Sequence, residues 1–337
     1  MIASAPGKVH LIGEHAVVYG EPAILTSVGL RSFVTATAAE NVSYADARFG
    51  HNNSYSLEEV KSKTVEVLDL WEKCNEKKNF SELFENIKAN KYENYKCAVI
   101  GIALENLGID SGVAIEIKSD VPAGAGMGSS SSLGAALTQA IAAEFGKNLS
   151  VDEVNNITFK MEQIIHGTPS GGDNSACCFG KLIWFQKGTP NIIKPLDLPQ
   201  LENFALVYTG PPTKNTGELV QMVRNLEESY RNQRIKDIGE MVPVMLEALK
   251  KKDMPTIRKI INKTQSNLKD LGVSTPQIDS IASAVREIGG AAKLCGAGGG
   301  GIMICQHDNK EKLIDVISSL GYKPLQADLA VEGVRIE

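Results

Sequence analysis

Asp120-Val-Pro-Ala-Gly-Ala-Gly-Met-Gly-Ser-Ser-Ser-Ser132 joins the alternating stretch Val113 to Lys118 to the apolar run Leu133 to Phe145. The alternation predicts a strand before the loop, and the apolar run predicts a helix after it. Glycines at 124, 126 and 128 let the backbone turn tightly and approach a ligand closely. A helix that opens directly after such a loop offers free N–H groups and the positive end of its dipole, and together these make an anion site. The stretch therefore points to a phosphate-bearing ligand, most simply a nucleotide. It is not a P-loop, because no lysine follows Gly128. Nor is it a dinucleotide or protein-kinase glycine loop, because residue 129 is serine where those patterns need glycine.

Composition narrows the rest. A chain of 337 residues, 43% of them hydrophobic, suggests one large domain or two ordinary ones, with a full core that needs no disulfide or structural metal. The net charge of −5 provides no basic field for nucleic acid, so the positive partners of an anionic ligand must be local. Cysteines at 74, 97, 177, 178, 295 and 305 form no C-x-x-C pair. They predict free thiols in a reducing compartment, hence a cytoplasmic protein. No signal-peptide pattern opens the chain and no apolar run reaches about 18 residues, so no membrane partner is expected.

Along the chain, 8–18 and 23–39 read as strands and 40–56 as a loop or hairpin. Residues 57–96 have charged, helically spaced apolar positions, and a further helix from Tyr95 ends at Gly108. Ser150-Val-Asp-Glu153 is a capping box that opens a helix reaching about His166. A strand is expected over 177–186 and a proline-rich connector over 190–203. Phe204 to Tyr208 reads as a buried strand, followed by helices near 216–233, 237–251, 253–271 and 276–288, the last with Thr275 as its cap. Strand 302–306, helix 310–320 and strand 331–336 close the chain. Strands mixed with helices in both halves predict two α+β domains, 1–190 and 191–337.

Three further motifs accompany the loop. Pro6-Gly-Lys-Val-His-Leu-Ile-Gly-Glu-His-Ala-Val-Val-Tyr-Gly20 stands near the N-terminus. Glu162-Gln-Ile-Ile-His-Gly-Thr-Pro-Ser-Gly-Gly-Asp-Asn174 stands in the middle, with Glu162 and His166 on one helix face and Asp173 beyond a turn that can return it to the same pocket. Lys293-Leu-Cys-Gly-Ala-Gly-Gly-Gly-Gly301 is a second glycine loop. In this order and separation, the motifs resemble those of the GHMP kinase superfamily, and within it the mevalonate kinases of archaeal type.

The resemblance implies a ribosomal S5 domain 2-like N-terminal domain, a ferredoxin-like C-terminal domain and an active site in the cleft between them. It implies ATP as co-substrate, Mg²⁺ as cofactor, and phosphorylation of the primary C5 hydroxyl of mevalonate in isoprenoid synthesis. Gly124, Ala125, Gly126, Met127, Gly128, Ser129 and Ser130 would wrap the ATP phosphates, with Ser119 as a further ATP contact. Ser130 and Glu162 would ligate the metal, a hydroxyl and a carboxylate that suit an oxygen-seeking ion. Asp173 and Lys8 would be catalytic, one toward the attacking hydroxyl and one toward the charge that develops. Glu14, His15, Thr216 and Arg224 would surround the substrate, with the arginine suited to its carboxylate. A homodimer is compatible with the resemblance. Other GHMP kinases acting on phosphomevalonate, homoserine or a sugar, and a catalytically silent nucleotide binder, remain as alternatives. Met127, Ser131, Ser132 and Gly172 depart from the usual family pattern; Gly172 is expected to loosen the turn that presents Asp173.

Overall fold

A computed structural model describes residues 1–337. The long strands β1 (Ile2–Ile12) and β2 (Pro22–Ala39) pair antiparallel at the centre of a first sheet. β3 (Val42–Asp46) and β4 (His51–Tyr55) form the hairpin expected within 40–56. Helices α1 (Leu57–Lys77) and α2 (Ser81–Leu107) follow, and α2 is interrupted at Ala89–Tyr92. β5 (Gly112–Ser119) leads through the glycine loop to α3 (Ser129–Glu144). Then come α4 (Val151–His166), α5 (Gly172–Phe179), β6 (Leu182–Gln186) and β7 (Ile192–Leu196).

The second unit opens with β8 (Phe204–Tyr208), followed by α6 (Thr216–Arg224), α7 (Glu228–Lys251), α8 (Met254–Asp270) and α9 (Pro276–Glu287). It closes with β9 (Ala291–Leu294), β10 (Ile302–Gln306), α10 (Lys310–Ser319) and β11 (Pro324–Leu325). Its sheet runs β11-β8-β10-β9 with all neighbours antiparallel, the strand order of a ferredoxin-like unit. The last strand, β12 (Arg335–Ile336), returns to the first sheet and pairs with β1. The first sheet thus runs β12-β1-β2-β5-β3-β4, with β6 on the other stretch of β2 and β7 outside it.

Side-chain alternation along β1 creates the site. Val9 and Leu11 point into a core shared with Leu206, Ile238, Val242 and Ile304 of the second unit. Lys8 and His10 therefore take the opposite face. A second core packs Val34, Ala36, Ile115 and Ile117 of the first sheet against Ile100, Leu137, Ile141 and Ile164. No helix is long and apolar enough to cross a membrane.

Several boundaries differ from expectation for local reasons. The strand expected over 8–18 stops at Ile12, because Gly13 (φ 107°) and His15 (φ 59°) turn the chain into a short 3-10 segment, Ala16–Tyr19. The strand expected over 177–186 begins only at Leu182; the residues before it form α5, started by a left-handed Gly171 whose carbonyl accepts from Ser175 Oγ at 2.6 Å. The expected connector contains β7, whose partner is β6 alone, so Pro195 costs no ladder bond on its outer side. The helix expected over 216–233 breaks where Glu227 caps α7. Of the strand expected over 331–336, only Arg335–Ile336 joins a ladder, and Glu332 makes an isolated bridge to Gly180.

Candidate active site

The glycine loop is held from below and left open above. Ala125 and Met127 bury their side chains, while Gly124, Gly126 and Gly128 take φ of 72°, 78° and 67°. Lys8 N–H donates to the Met127 carbonyl at 2.9 Å, which fastens the loop to β1. Gly128 caps α3 without any side-chain hydrogen bond, and the first intrahelical bond is Ser132 N–H to Gly128 O at 2.8 Å. The N–H groups of Ser129, Ser130 and Ser131 thus stand at an uncapped helix start, the arrangement that binds a phosphate. Behind the loop, Ser132 Oγ donates to Ala5 O at 2.7 Å and lies 2.9 Å from Ser32 Oγ, itself 2.9 Å from Ser119 Oγ. Ser119 also accepts from Val121 N–H at 3.2 Å, so its hydroxyl holds the loop's entry.

Beside the helix start, Lys8 Nζ lies 3.0 Å from Asp173 Oδ1; the lysine side chain is 4% exposed and the aspartate 39%. Partial desolvation pushes the Asp173 carboxyl up, but the Lys8 ammonium beside it reverses that push, and it sits below the usual aspartate range. Gly128 permits this contact, since a Cβ there would stand 3.0 Å from Lys8 Cγ. Cys177 Sγ is 3.8 Å from Gly128 O, and burial keeps its thiol protonated.

Across the loop, Glu162 is buried on α4 with His166 Nε2 3.6 Å away, and that nitrogen is 3.3 Å from Ser130 Oγ. Burial raises the Glu162 carboxyl above its usual range, more than His166 lowers it. The buried Ser131 Oγ has no hydrogen-bond partner. A buried carboxylate short of positive charge, beside a serine hydroxyl, fits Mg²⁺. No group of three or more His, Cys, Asp or Glu side chains stands together as a metal cage.

The second unit closes the cleft. A space of about 430 Å³ is lined by Gly124 and Gly126 on one side and by Lys214, Thr216, Gly298 and Gly301 on the other. Thr216 is the first residue of α6, behind an Asn215–Glu218 capping box. His15 Nε2 is 2.9 Å from Ala297 O, and burial lowers its imidazole. Glu14 forms a fully buried ion pair with Lys293 of β9, whose ammonium also donates to Leu294 O at 2.9 Å and His10 O at 3.2 Å.

The GHMP kinase N-terminal domain pattern matches residues 94–181 and the C-terminal pattern matches 245–323. A mevalonate kinase of Thermococcus sibiricus is 31% identical over 347 aligned residues, covering 100% of this chain and 98% of its own. The chain belongs to the mevalonate kinase family of GHMP kinases. A mevalonate kinase of Pyrococcus horikoshii is 30% identical over 100% of this chain and 98% of its own. The crystal structure of the Methanococcus jannaschii mevalonate kinase superposes with a TM-score of 0.81 at 27% identity, covering 100% of this chain and 98% of that one.

Around this GHMP cleft, the fold gathers Lys8, Asp173, Ser130, Glu162 and the 124–130 loop on one side, with Thr216 facing the loop. Glu14 pairs with Lys293 through Oε1 and has no exposed side-chain surface, and its buried Oε2 has no hydrogen-bond partner. Arg224 is exposed at the far end of α6, and nothing ties its side chain to the cleft. His10 and Lys293 went unnoticed in the sequence. His10 shares the Lys8 face of β1, a signal that the two-residue spacing carried. Lys293 gave no signal, because its partner lies 279 positions away.

Proposed function

We propose that this chain is a mevalonate kinase that transfers the ATP γ-phosphoryl group to the primary C5 hydroxyl of mevalonate. The observation that carries the reading is the Lys8–Asp173 pair, 3.0 Å apart beside the uncapped start of α3. The free N–H groups of that helix start bind the phosphates of ATP. Ser130 and Glu162 hold Mg²⁺, which when bound neutralises charge on the transferring phosphates.

A carboxyl held below its usual range is ionised at neutral pH and is a weak base. Asp173 therefore orients the hydroxyl by accepting its hydrogen bond, and takes the proton once the oxygen–phosphorus bond is well advanced, in keeping with a loose transition state. Lys8 stabilises the charge shared by carboxylate, hydroxyl oxygen and phosphoryl group. Thr216 contacts the acceptor from the second unit. Six free, buried cysteines support a reducing, cytoplasmic setting for this reading.

The test is ADP release from purified protein with ATP and Mg²⁺, with and without mevalonate, and with the phosphate position read by phosphorus NMR. Mevalonate-dependent ADP with an ester on C5 is expected. ATP binding with no stimulation by mevalonate would refute the substrate assignment.

A further inference from the structure

His10 stands beside the reacting pair and has no role so far. It lies two residues from Lys8 on the same face of β1, so the two Cα atoms are about 7 Å apart. Its backbone carbonyl is gripped from the second unit by Lys293 Nζ at 3.2 Å and Cys295 Sγ at 3.4 Å, which fixes the strand at this point. The ring itself is half-buried. Its Nδ1 is buried without any hydrogen-bond partner, whereas Nε2 is not among the buried unpartnered atoms and makes no bond to protein.

That asymmetry decides the tautomer. A buried N–H with no acceptor costs more than a buried lone pair with no donor. The proton therefore belongs on Nε2, leaving Nδ1 as a bare acceptor. Burial, reinforced by Lys8, lowers the imidazole to about 3, so the ring is neutral at working pH. The result is an uncharged N–H donor on the accessible side of the ring, one strand repeat from Lys8, the ion-pair partner of Asp173.

We propose that His10 is a substrate-positioning and specificity-determining residue whose Nε2–H donates to a second, non-reacting oxygen of the acceptor. This rests on the acceptor site assigned above. The ligand class is a short alcohol with a further hydroxyl or carboxylate oxygen on a carbon two to four positions from the one bearing the reacting hydroxyl. A neutral donor suits this place: it adds no charge to compete with Lys8 for Asp173, and it rejects an acceptor lacking the second oxygen by leaving the donor unpaired.

The experiment compares wild type, His10→Leu and His10→Gln with mevalonate and with 5-hydroxy-3-methylpentanoate, which lacks the tertiary hydroxyl. Glutamine can place its amide N–H near the histidine Nε2 position; leucine cannot donate. His10→Leu is expected to raise the mevalonate KM about tenfold, with kcat and the ATP KM within about twofold, and His10→Gln to recover most of the loss. If the bonded oxygen is the tertiary hydroxyl, the preference for mevalonate over the analogue collapses in His10→Leu. If it is the carboxylate, both acceptors weaken equally. An unchanged acceptor KM in a folded His10→Leu protein overturns the proposal, as does an equal rise in both substrates' KM values. Nitrogen NMR of the ring gives a readout independent of turnover: a proton on Nδ1 overturns the proposal even if mevalonate is a substrate. Wild-type inactivity toward both acceptors together with an Nε2–H ring fails the substrate assignment and leaves the donor in place.

Discussion

The Glu14–Lys293 pair offers a quantitative test of how the two units are joined. Both side chains are 0% exposed, and the lysine also satisfies two backbone carbonyls, one on each unit. Lys293→Met keeps most of the side-chain volume but leaves the Glu14 carboxylate buried and unpaired, a loss of about 3–5 kcal/mol. For a chain of 337 residues, an unfolding entropy of about 2.1 cal/mol/K per residue gives about 0.7 kcal/mol/K, so Tm should fall by about 4–7 °C. The loss depends on pH in a defined direction. Burial already raises the Glu14 carboxyl above its unfolded value despite Lys293. A group raised in this way binds its proton more tightly in the folded state, so stability falls as pH rises from the unfolded pKa toward the folded one. Removing Lys293 lifts the folded value further and widens that window, so the Tm deficit should be larger near about pH 8 than near about pH 5. In Glu14→Gln combined with Lys293→Met no buried charge remains, and both the deficit and its pH dependence should shrink. Thermal unfolding followed by circular dichroism reads all three proteins. A Lys293→Met Tm within about 1 °C of wild type at both pH values, or a double variant less stable than the single, would refute the reasoning.

Asp173→Asn keeps the shape but loses the charge, and turnover should drop by about 10²–10⁴-fold with ATP affinity little changed; near-wild-type turnover in a rapid-quench assay would remove Asp173 from the chemistry. Lys8→Met takes away the charge that holds the Asp173 carboxyl low while leaving it partly desolvated, so the acid limb of kcat/KM should move to higher pH, and an unmoved limb would break the assigned coupling. Glu162→Gln should raise the Mg²⁺ concentration needed for half-maximal rate; a superimposable magnesium titration counts against its place at the metal. Gly172→Ala should be tolerated and stabilise by about 0.5–1 kcal/mol, because a Cβ there meets only ordinary contacts at 3.5–3.6 Å and φ is not left-handed; a lower Tm would show that the turn needs glycine.

That last expectation reverses the sequence reading of Gly172 as a loosening of the turn, and the reason is general to this chain. The residues read correctly from the sequence act through local backbone geometry. Gly124, Gly126 and Gly128 adopt the left-handed φ their pattern implied, Ser150 and Glu153 make both halves of their capping box, and Thr275 caps its helix as its position before Pro276 suggested. Each of these depends on neighbours within a few positions. Gly172 lies outside the turn it was expected to loosen: the left-handed residue is Gly171, and Gly172 is already helical.

The harder residues are those whose meaning is set by a distant partner. Glu14 sits within a motif that suggested a ligand contact, yet Lys293 neutralises it from the far end of the chain. Ser119 was read as an ATP contact, and its hydroxyl instead faces Ser32 and the loop backbone. Charge and polarity in a sequence mark a residue as costly to bury, and they do not say whether a ligand or the protein itself meets that cost. At Ser119 the protein meets it, and at Glu14 it meets it through Oε1 alone, while Glu14 Oε2, Ser131 Oγ and His10 Nδ1 are left over. Leftover buried polar atoms carry a desolvation penalty that binding can recover. It is therefore the orphaned atoms around Lys8 and Asp173, more than the motif residues already satisfied, that should discriminate among substrates.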